Sequence, residues 1–252
     1  MHIVQWQLPQ SDDLNEQTVD VWFANLNVST HEITQGWAML SALEQDRANR
    51  QMRDWQRNAY IATRMILRSI LARYLQLAPQ EIIFEVNQYG KPRVATHQNP
   101  EQLSFNLSHS GGYLLCGVAV GREIGVDVEE VRLRSSLPSL VRKVLSHDEQ
   151  ATLNTLPAEN QTLAFYQSWT HKEAYVKAVG RGISFGLASV EVAMRSNRAA
   201  ELLRIAGDQH EAKRWTTRQF TPAPQTVASV VVDGENLTFR YHQYAADSSI
   251  IP

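Results

Sequence analysis

The spacing of apolar residues changes from helical to β-type twice along this chain of 252 residues. A capping-box pattern at Ser41 and Glu44 opens a predicted helix that continues to Leu77 and stops before Pro79. Short apolar runs bounded by Gly, Pro and Asn follow, and they predict an antiparallel sheet formed by EIIFEVN, GKPRV, LSFNLSHS and YLLCGVAV.

The second half of the chain has the same composition of helices and strands. The strand EIGVDVEEV is followed by predicted helices over residues 139–156 and 162–179, and then by the strands ASVEVAM, RWTTRQF, TVASVVV and LTFRYHQY. This pattern predicts an α+β fold with two lobes, each combining helices with an antiparallel sheet. We place the division near Gly121, so that the first lobe spans residues 1–121 and the second spans residues 122–252. A ligand site is expected at the seam between them.

The composition limits the classes of function. A net charge of −2, with 24 basic and 26 acidic residues, argues against a nucleic-acid partner. The single cysteine, Cys116, lies in an apolar run and is predicted to be a buried small hydrophobe rather than a nucleophile. The first residues lack the features of a signal peptide, and no apolar run approaches the roughly 18 residues of a membrane span. We therefore predict a soluble, cytoplasmic monomer without a membrane partner.

Acidic residues alternate with valines in the segment IGVDVEE. Because successive side chains of a strand point to opposite faces, Asp127 and Glu129 share one face about 7 Å apart, and Val126 and Val128 share the other. The ordinary interpretation of such a pattern is a solvated strand face. Two carboxylates on one face also repel each other unless a cation lies between them.

The segment WTHKEAYVK supplies a third carboxylate. Glu173 and Lys177 are four residues apart and are therefore neighbours on one face of a helix, which by itself usually means a weak surface ion pair. Three oxygen ligands without a thiolate favour a hard ion, Mg²⁺ or alternatively Mn²⁺, over Zn²⁺. Lys177 would lie beside this ion as a positive charge for phosphate oxygens. The predicted metal ligands are Asp127, Glu129 and Glu173.

Four motifs occur in the order YGKP, FNLSHSG, IGVDVEE and WTHKEAYVKAVGRGIS between residues 89 and 184. This combination resembles the 4'-phosphopantetheinyl transferases of the two-lobed type that activates surfactin synthetase. The resemblance implies transfer of the phosphopantetheine arm of coenzyme A to a serine of an apo acyl, peptidyl or polyketide carrier protein, with release of adenosine 3',5'-bisphosphate and with Mg²⁺ as cofactor. It also implies two pseudo-symmetric lobes, each an antiparallel sheet packed against a long helix, with the active site at their interface.

The resemblance assigns further residues to coenzyme A. Ser108 and His109 match residues that contact its phosphates, and Lys91 and Pro92 match a segment that packs on the adenine. Without the resemblance, a lone histidine such as His109 is more often structural, and a Gly-Lys-Pro sequence is a turn. The implied coenzyme A contacts are Arg47, Arg64, Lys91, Pro92, Ser108, His109, Asp127 and Lys177.

The acceptor serine must lose its proton, and Glu149 matches the general base proposed for the family. Burial beside other carboxylates would raise the pKa of Glu149 toward the working range. The alternative is an ordinary exposed glutamate on a helix. The implied catalytic set is Glu149, Lys177, Asp127, Glu129 and Glu173.

Three neighbouring features leave alternatives open. Arginines recur at about one helical turn at positions 53, 57, 64 and 68, and such a row is commonly a solvated face. Arg47 and Arg64 align with phosphate-binding residues of the family only if one residue is inserted near Leu43. Lys172 points about 100° away from Glu173 and is predicted to form a supporting ion pair, whereas Trp169 is predicted to anchor the helix by packing.

Two other functions are compatible with the acidic motifs. The first is a non-catalytic module that binds coenzyme A or a carrier protein, and the presence of all three acidic residues with Lys177 and Glu149 disfavours it. The second is a metal-dependent nuclease, because carboxylates with a lysine also serve phosphodiester cleavage. The near-neutral net charge disfavours the nuclease.

Overall fold

The computed structural model describes residues 14–194 and 201–245. The first half of the chain contains β1 (Thr18–Asn25), α1 (Thr30–Met39), α2 (Ala42–Asn49), α3 (Asp54–Leu75), β2 (Phe84–Val86), β3 (Pro92–Val94), β4 (Leu103–Ser110) and β5 (Tyr113–Val120). The second half contains β6 (Ile124–Glu130), α4 (Leu137–Val144), α5 (His147–Thr155), α6 (Ala158–Val179), β7 (Val190–Ala193), β8 (Glu201–Ile205), α7 (Gln209–Lys213), β9 (Trp215–Phe220), β10 (Thr226–Asp233) and β11 (Thr238–Gln243). None of the described helices is long and apolar enough to cross a lipid bilayer.

Two larger sheets and two long helices form four layers. The first sheet has the strand order β11-β1-β5-β4 and the second has the order β6-β10-β9. Helix α3 covers one face of the first sheet, the other face packs on the second sheet, and α6 covers the far side of the second sheet. The predicted α+β class, with a long helix on each sheet, is therefore confirmed.

The alternation of residues in β6 and β10 explains these layers. Ile124, Val126 and Val128 of β6 are buried between the two sheets together with Val230 and Val232 of β10. The intervening residues of both strands face α6 instead, because side chains alternate across a strand. As predicted, Asp127 and Glu129 lie on the face opposite the valines.

The predicted helix from Ser41 to Leu77 is wrong in one respect, because the structure has two helices. Ser41 and Glu44 do form a capping box at the start of α2, but α2 ends at Asn49 and α3 begins at Asp54. The break lets Glu44 bond to Arg64 and Arg68 on α3. In one straight helix, residues 44 and 64 would lie about 30 Å apart.

Other predicted boundaries also change. The helix predicted over residues 139–156 divides into α4 and α5, because Ser146 and Glu149 form a capping box that starts a new helix. Strands β1 and β8 and helices α1 and α7 were not predicted. Strand β11 pairs with β1 in parallel, so a strand of the predicted second lobe lies in the first sheet.

Cys116 is fully buried, and this burial raises the pKa of its thiol to about 12, as expected for an inert side chain.

A buried carboxylate holds β11 against β1. Asp20 on β1 is 1% exposed and accepts hydrogen bonds from Arg240 Nε at 2.6 Å and from the Tyr74 hydroxyl at 2.7 Å. His242 Nε2 lies 3.0 Å from the same carboxylate. Burial alone would raise the pKa of Asp20, but the hydrogen bonds from these three partners outweigh it and lower the pKa. The last described strand is therefore attached by a charged group inside the protein.

Replacing Asp20 by asparagine should destabilise the fold by about 2 to 4 kcal/mol, because Arg240 would lose its buried carboxylate partner. Urea denaturation at pH 7 measures this change, and hydrogen exchange should show the loss of protection centred on β11. Asp46→Asn is the matched control, since Asp46 pairs with Arg50 on the exposed surface of α2. We expect that control to change stability by less than about 0.5 kcal/mol. Equal stabilities of the two variants would contradict this role for Asp20.

Candidate active site

Side chains of β4 join the two larger sheets at the seam between the halves of the chain. Alternate residues of β4 point toward β6, where Asn106 Oδ1 accepts a hydrogen bond from the Val126 amide at 2.9 Å. Ser108 donates to Asp127 Oδ1 at 2.8 Å, and Ser110 donates to Glu129 Oε2 at 2.9 Å. These bonds cross between two sheets that share no backbone ladder, and they orient both carboxylates of β6.

Asp127 lies at the centre of this arrangement, with its side chain 5% exposed. Its Oδ1 accepts hydrogen bonds from Ser108 and, at 2.6 Å, from Lys177 Nζ, which also donates to the Ser108 hydroxyl at 2.9 Å. Its Oδ2 is buried and has no hydrogen-bond partner among the described residues. Burying a carboxylate oxygen without a partner costs free energy, and a cation bound at Oδ2 would offset that cost.

Helix α6 reaches this centre because β6 has a glycine at position 125. A Cβ atom at Gly125 would lie 1.9 Å from the carbonyl oxygen of Ala174 and 2.3 Å from the amide nitrogen of Ala178. Only a residue without a side chain permits the helix and the strand to approach this closely. The contact places Glu173 and Lys177 beside Asp127.

One groove collects the acidic side chains. Its lining consists of Leu107, Ser108, His109, Asp127, Glu129, Trp169, Glu173 and Lys177. The structure therefore brings together all three predicted metal ligands, Lys177 and the predicted serine and histidine. Trp169 also packs on Phe165 and stacks on Tyr166, so its predicted anchoring role is confirmed and it lines the groove as well.

The electrostatics of this acidic part of the groove favour a cation. Burial, followed by the charge of Asp127, raises the pKa of Glu129 and the pKa of Glu173. A bound cation would reverse this repulsion and stabilise both carboxylates in their ionised form. As they stand, no three His, Cys, Asp or Glu side chains in residues 14–194 and 201–245 are grouped closely enough to hold a metal. The residues nevertheless fit Mg²⁺, which takes one or two carboxylates directly and completes its shell with water and phosphate oxygens.

His109 lies at the open edge of the groove, next to Ser108 in β4. Partial desolvation, followed by the positive charge of Lys177, lowers the pKa of His109. The imidazole is therefore neutral at pH 7, and it can donate one hydrogen bond to a ligand without adding charge.

The groove continues from the acidic part into a more apolar cavity of about 290 Å³. Leu107, Glu173 and Lys177 line both parts. The remaining walls come from the β2–β3 turn, β4, α6 and the segment after α6, with Tyr89, Gly90, Lys91, Pro92, Asn106, Val176, Gly180, Gly182, Gly186 and Leu187. Apolar walls with few polar groups are typical of a small-molecule site. Tyr89, Gly90, Gly180 and Gly182 belong to the four motifs, whereas Gly186 and Leu187 lie outside them and sequence reasoning missed both.

Lys91 connects the two halves of the chain at this cavity. Its ammonium bonds to Glu123 at 2.6 Å and to the carbonyl oxygen of Ala178 at 2.7 Å. The turn that carries Lys91 is further attached by Asn87, whose amide donates to the Gly180 carbonyl at 3.2 Å. Lys91 lines the cavity, and it also holds the turn against the end of α6.

Neither predicted arginine lines the groove. Arg47 is exposed on α2, whereas Arg64 is nearly buried, bonds to Glu44 and lies over the Phe84 ring at 4.5 Å. Arg68 is fully buried and donates to the carbonyl oxygens of Pro79 and Ile82. The interpretation of the arginine row as a solvated face is therefore wrong at its last two members, because their guanidinium groups join α2 and the β2–β3 region to α3.

Glu149 lies in a different environment from the one predicted. Its neighbour is a cation rather than other carboxylates, since Lys172 Nζ donates to Glu149 Oε2 at 2.6 Å with both side chains buried. The amides of Ser146 and Val192 donate to the two carboxylate oxygens at 2.7 and 2.8 Å. Glu149 does not line the groove. The predicted ion pair of Lys172 is confirmed, and its partner is the residue predicted as the general base.

Fold and groove define an α+β protein with an acidic groove that continues into an apolar cavity, and comparisons with known proteins identify its family. Residues 123–231 match the 4'-phosphopantetheinyl transferase superfamily, and residues 25–121 match "4'-phosphopantetheinyl transferase, N-terminal". The chain is 35% identical over 226 residues to 4'-phosphopantetheinyl transferase HetI of Nostoc sp., which covers 90% of this chain and 92% of the relative. It is 30% identical over 133 residues to 4'-phosphopantetheinyl transferase Sfp of Bacillus subtilis, or 53% of this chain and 57% of the relative. The chain belongs to the 4'-phosphopantetheinyl transferase superfamily.

Gly125→Ala should push α6 away from β6 and destabilise the protein by about 3 kcal/mol, because the new methyl group meets backbone atoms that cannot rotate away. We expect the variant to unfold at lower urea concentration and to bind Mn²⁺ more weakly than the unchanged protein. Gly36→Ala on α1 is the comparison, because its Cβ would meet side-chain atoms of Met65 and Ile61 at 3.0 to 3.1 Å, which can shift, rather than fixed backbone atoms. If Gly125→Ala retained full stability and metal affinity, close contact between helix and strand would not be what assembles the site.

Proposed function

We propose that this protein transfers the 4'-phosphopantetheine arm of coenzyme A to a serine hydroxyl of an apo carrier protein. The observation that supports this most directly is the convergence of Asp127, Glu129, Glu173 and Lys177 on one groove that continues into an apolar cavity. Coenzyme A has matching chemistry, because it combines a charged pyrophosphate with an adenine and a long pantetheine arm.

In this proposal the pyrophosphate lies in the acidic part of the groove, beside Lys177, Ser108 and His109. The ammonium of Lys177 is 29% exposed and can bond to phosphate oxygens while it stays close to Asp127. The adenine packs against the turn with Lys91 and Pro92. Arg47 and Arg64 are weaker candidates for phosphate contacts, since neither lines the groove and Arg64 already bonds to Glu44.

Asp127, Glu129 and Glu173 would hold Mg²⁺, with Mn²⁺ as an alternative. The buried, unpartnered Oδ2 of Asp127 and the raised pKa values of the two glutamates support this assignment. When bound, the ion would neutralise the pyrophosphate oxygens and stabilise the charge that develops on the leaving group.

The reaction forms one bond and breaks one. The serine oxygen of the carrier bonds to the phosphorus of the phosphopantetheine group, and the bond from that phosphorus to the bridging oxygen breaks. Adenosine 3',5'-bisphosphate leaves with the bridging oxygen, and the serine proton passes to a base. Lys177 contributes by holding the phosphate oxygens in line for attack and by balancing their negative charge.

Asp127→Asn and Glu173→Gln should each lower the rate of transfer at least about 100-fold, because each removes a charge that holds the cation. The assay incubates the protein with coenzyme A, Mg²⁺ and an apo carrier protein and detects the added arm by intact mass. Glu85→Gln is the control, since Glu85 pairs with Arg93 at the exposed edge of the β2–β3 hairpin.

EDTA should stop the reaction and added Mg²⁺ should restore it. Coenzyme A or carrier binding without any transfer would favour the alternative, a non-catalytic module.

Glu149→Gln distinguishes a general base from a structural residue. We propose the structural role, so the variant should lose about 3 to 5 kcal/mol of stability because the Lys172 ammonium is left buried without its carboxylate. The double variant Glu149→Gln/Lys172→Met should recover part of that stability. A stable Glu149→Gln variant that lost turnover together with the acidic limb of its pH–rate profile would instead restore the predicted role as general base.

The remaining assignments stay predictions. They are the cytoplasmic location, the monomeric state and the absence of a nucleic-acid partner, and the choice among acyl, peptidyl and polyketide carriers stays open. We also propose that the division of lobes lies at Gly121, with β11 returning to complete the first sheet. Transfer rates over a panel of carrier domains would establish the carrier preference.

A further inference from the structure

Three polar side chains form a row across the second sheet, beneath α6. Ser229 on the central strand β10 lies opposite Gln219 of β9 on one side and opposite Asp127 of β6 on the other. Opposite residues of antiparallel strands face the same side of a sheet. All three side chains are buried. We call Gln219, Ser229 and Asp127 the polar row.

Helix α6 bonds to two members of the polar row just before its acidic turn. The Thr170 hydroxyl lies 2.9 Å from the Ser229 hydroxyl, and His171 Nδ1 lies 3.0 Å from the same oxygen. Gln219 Nε2 lies 2.9 Å from His171 Nδ1 and donates to the Gln167 carbonyl at 2.9 Å. These are directed contacts between the helix and two strands, inside a region that water does not reach.

The third member of the polar row is the carboxylate at the centre of the groove. Lys177 of α6 bonds to Asp127, so the helix is attached to the row on both sides of Glu173. Thr170 lies three residues before Glu173, and Lys177 lies four residues after it. Successive residues of a helix point about 100° apart. A rotation of α6 by that angle about its axis would therefore turn the Glu173 carboxylate out of the groove.

Apolar contacts also hold α6 on the second sheet. Tyr175 packs edge-on against Trp215 of β9, and the small side chains of Ala174 and Ala178 belong to the same buried cluster. Hydrogen bonds depend on direction as well as distance, and a buried one is costly to break. The polar row therefore adds directed contacts near Glu173 to this apolar packing.

We propose that Ser229 and Gln219, acting through Thr170 and His171, are positioning residues that hold Glu173 toward Asp127 in the geometry that binds the divalent cation. This inference rests on the proposed function for its activity measurement, but not for its metal-binding measurement. Neither Ser229 nor Gln219 lines the groove, so their effect on the metal would have to be transmitted through α6.

Ser229→Ala and Thr170→Val test the proposal, because both remove a hydroxyl of this network with little change in volume. Thr170→Ser keeps the hydroxyl and should preserve function. Ser168→Ala is the matched control, since Ser168 is a fully buried serine of the same helix whose hydroxyl makes no hydrogen bond with the described residues. Mn²⁺ affinity is measured by electron paramagnetic resonance, and transfer kinetics and thermal unfolding are measured on the same samples.

We expect Ser229→Ala and Thr170→Val to weaken Mn²⁺ binding about tenfold and to lower kcat by a similar factor. The KM for the carrier should stay unchanged, and Thr170→Ser and Ser168→Ala should match the unchanged protein. Lower melting temperatures with normal Mn²⁺ affinity in the folded variants would overturn the proposal and leave these residues a purely structural role.

Failure of the proposed function gives a different result. If the unchanged protein binds Mn²⁺ but modifies no carrier, the proposed transfer activity is wrong. The metal measurements then still test the positioning residues. If the unchanged protein binds no Mn²⁺ or Mg²⁺ at all, the metal assignment and this inference are overturned together.

Discussion

The site depends on the close approach of one helix to one strand. Gly125 lets the backbone of α6 lie directly against β6, and this contact places Glu173 and Lys177 beside Asp127. Each of these groups alone is an ordinary charged residue. In the groove, the carboxylates of Asp127, Glu129 and Glu173 are partly removed from water and repel one another. Lys177 relieves part of this repulsion, and a further positive charge would relieve more of it.

The four layers supply the rigidity that such a cluster of charges requires. The valines of β6 and β10 pack the second sheet against the first. Polar residues on the opposite face of the same sheet form hydrogen bonds with α6. On β4, Asn106, Ser108 and Ser110 bridge to β6 and orient its carboxylates. A single pattern of alternation therefore produces both the core and the site, because opposite faces of a strand serve the two purposes.

Buried ion pairs outside the groove attach the peripheral elements. Glu44 attaches α2 to α3, Asp20 attaches β11 to β1, and Glu149 with Lys172 attaches α5 and β7 to α6. Buried pairs of this kind contribute little net stability, but losing one partner is costly, so they select a particular arrangement of the chain. This distinguishes two classes of acidic residue in this protein. The peripheral ones are paired with a cation of the chain, whereas Glu129 and Glu173 lie where charge repulsion is only partly relieved.

The amino-acid sequence by itself determined the α+β class, most strands and the chemistry of the central acids, because alternation in IGVDVEE and helical spacing in WTHKEAYVK are local properties. The break after α2, the return of β11 to the first sheet and the pairing of Glu149 with Lys172 were decided by tertiary structure. Each depends on which distant residues face one another, and local spacing carries no information about such partners. The same holds for Arg64, whose alignment with the family suggested a ligand contact, whereas in the structure it bonds to Glu44 and lies over the Phe84 ring. The convergence of three carboxylates also required the folded chain, since Gly125 permits it only when α6 lies across β6.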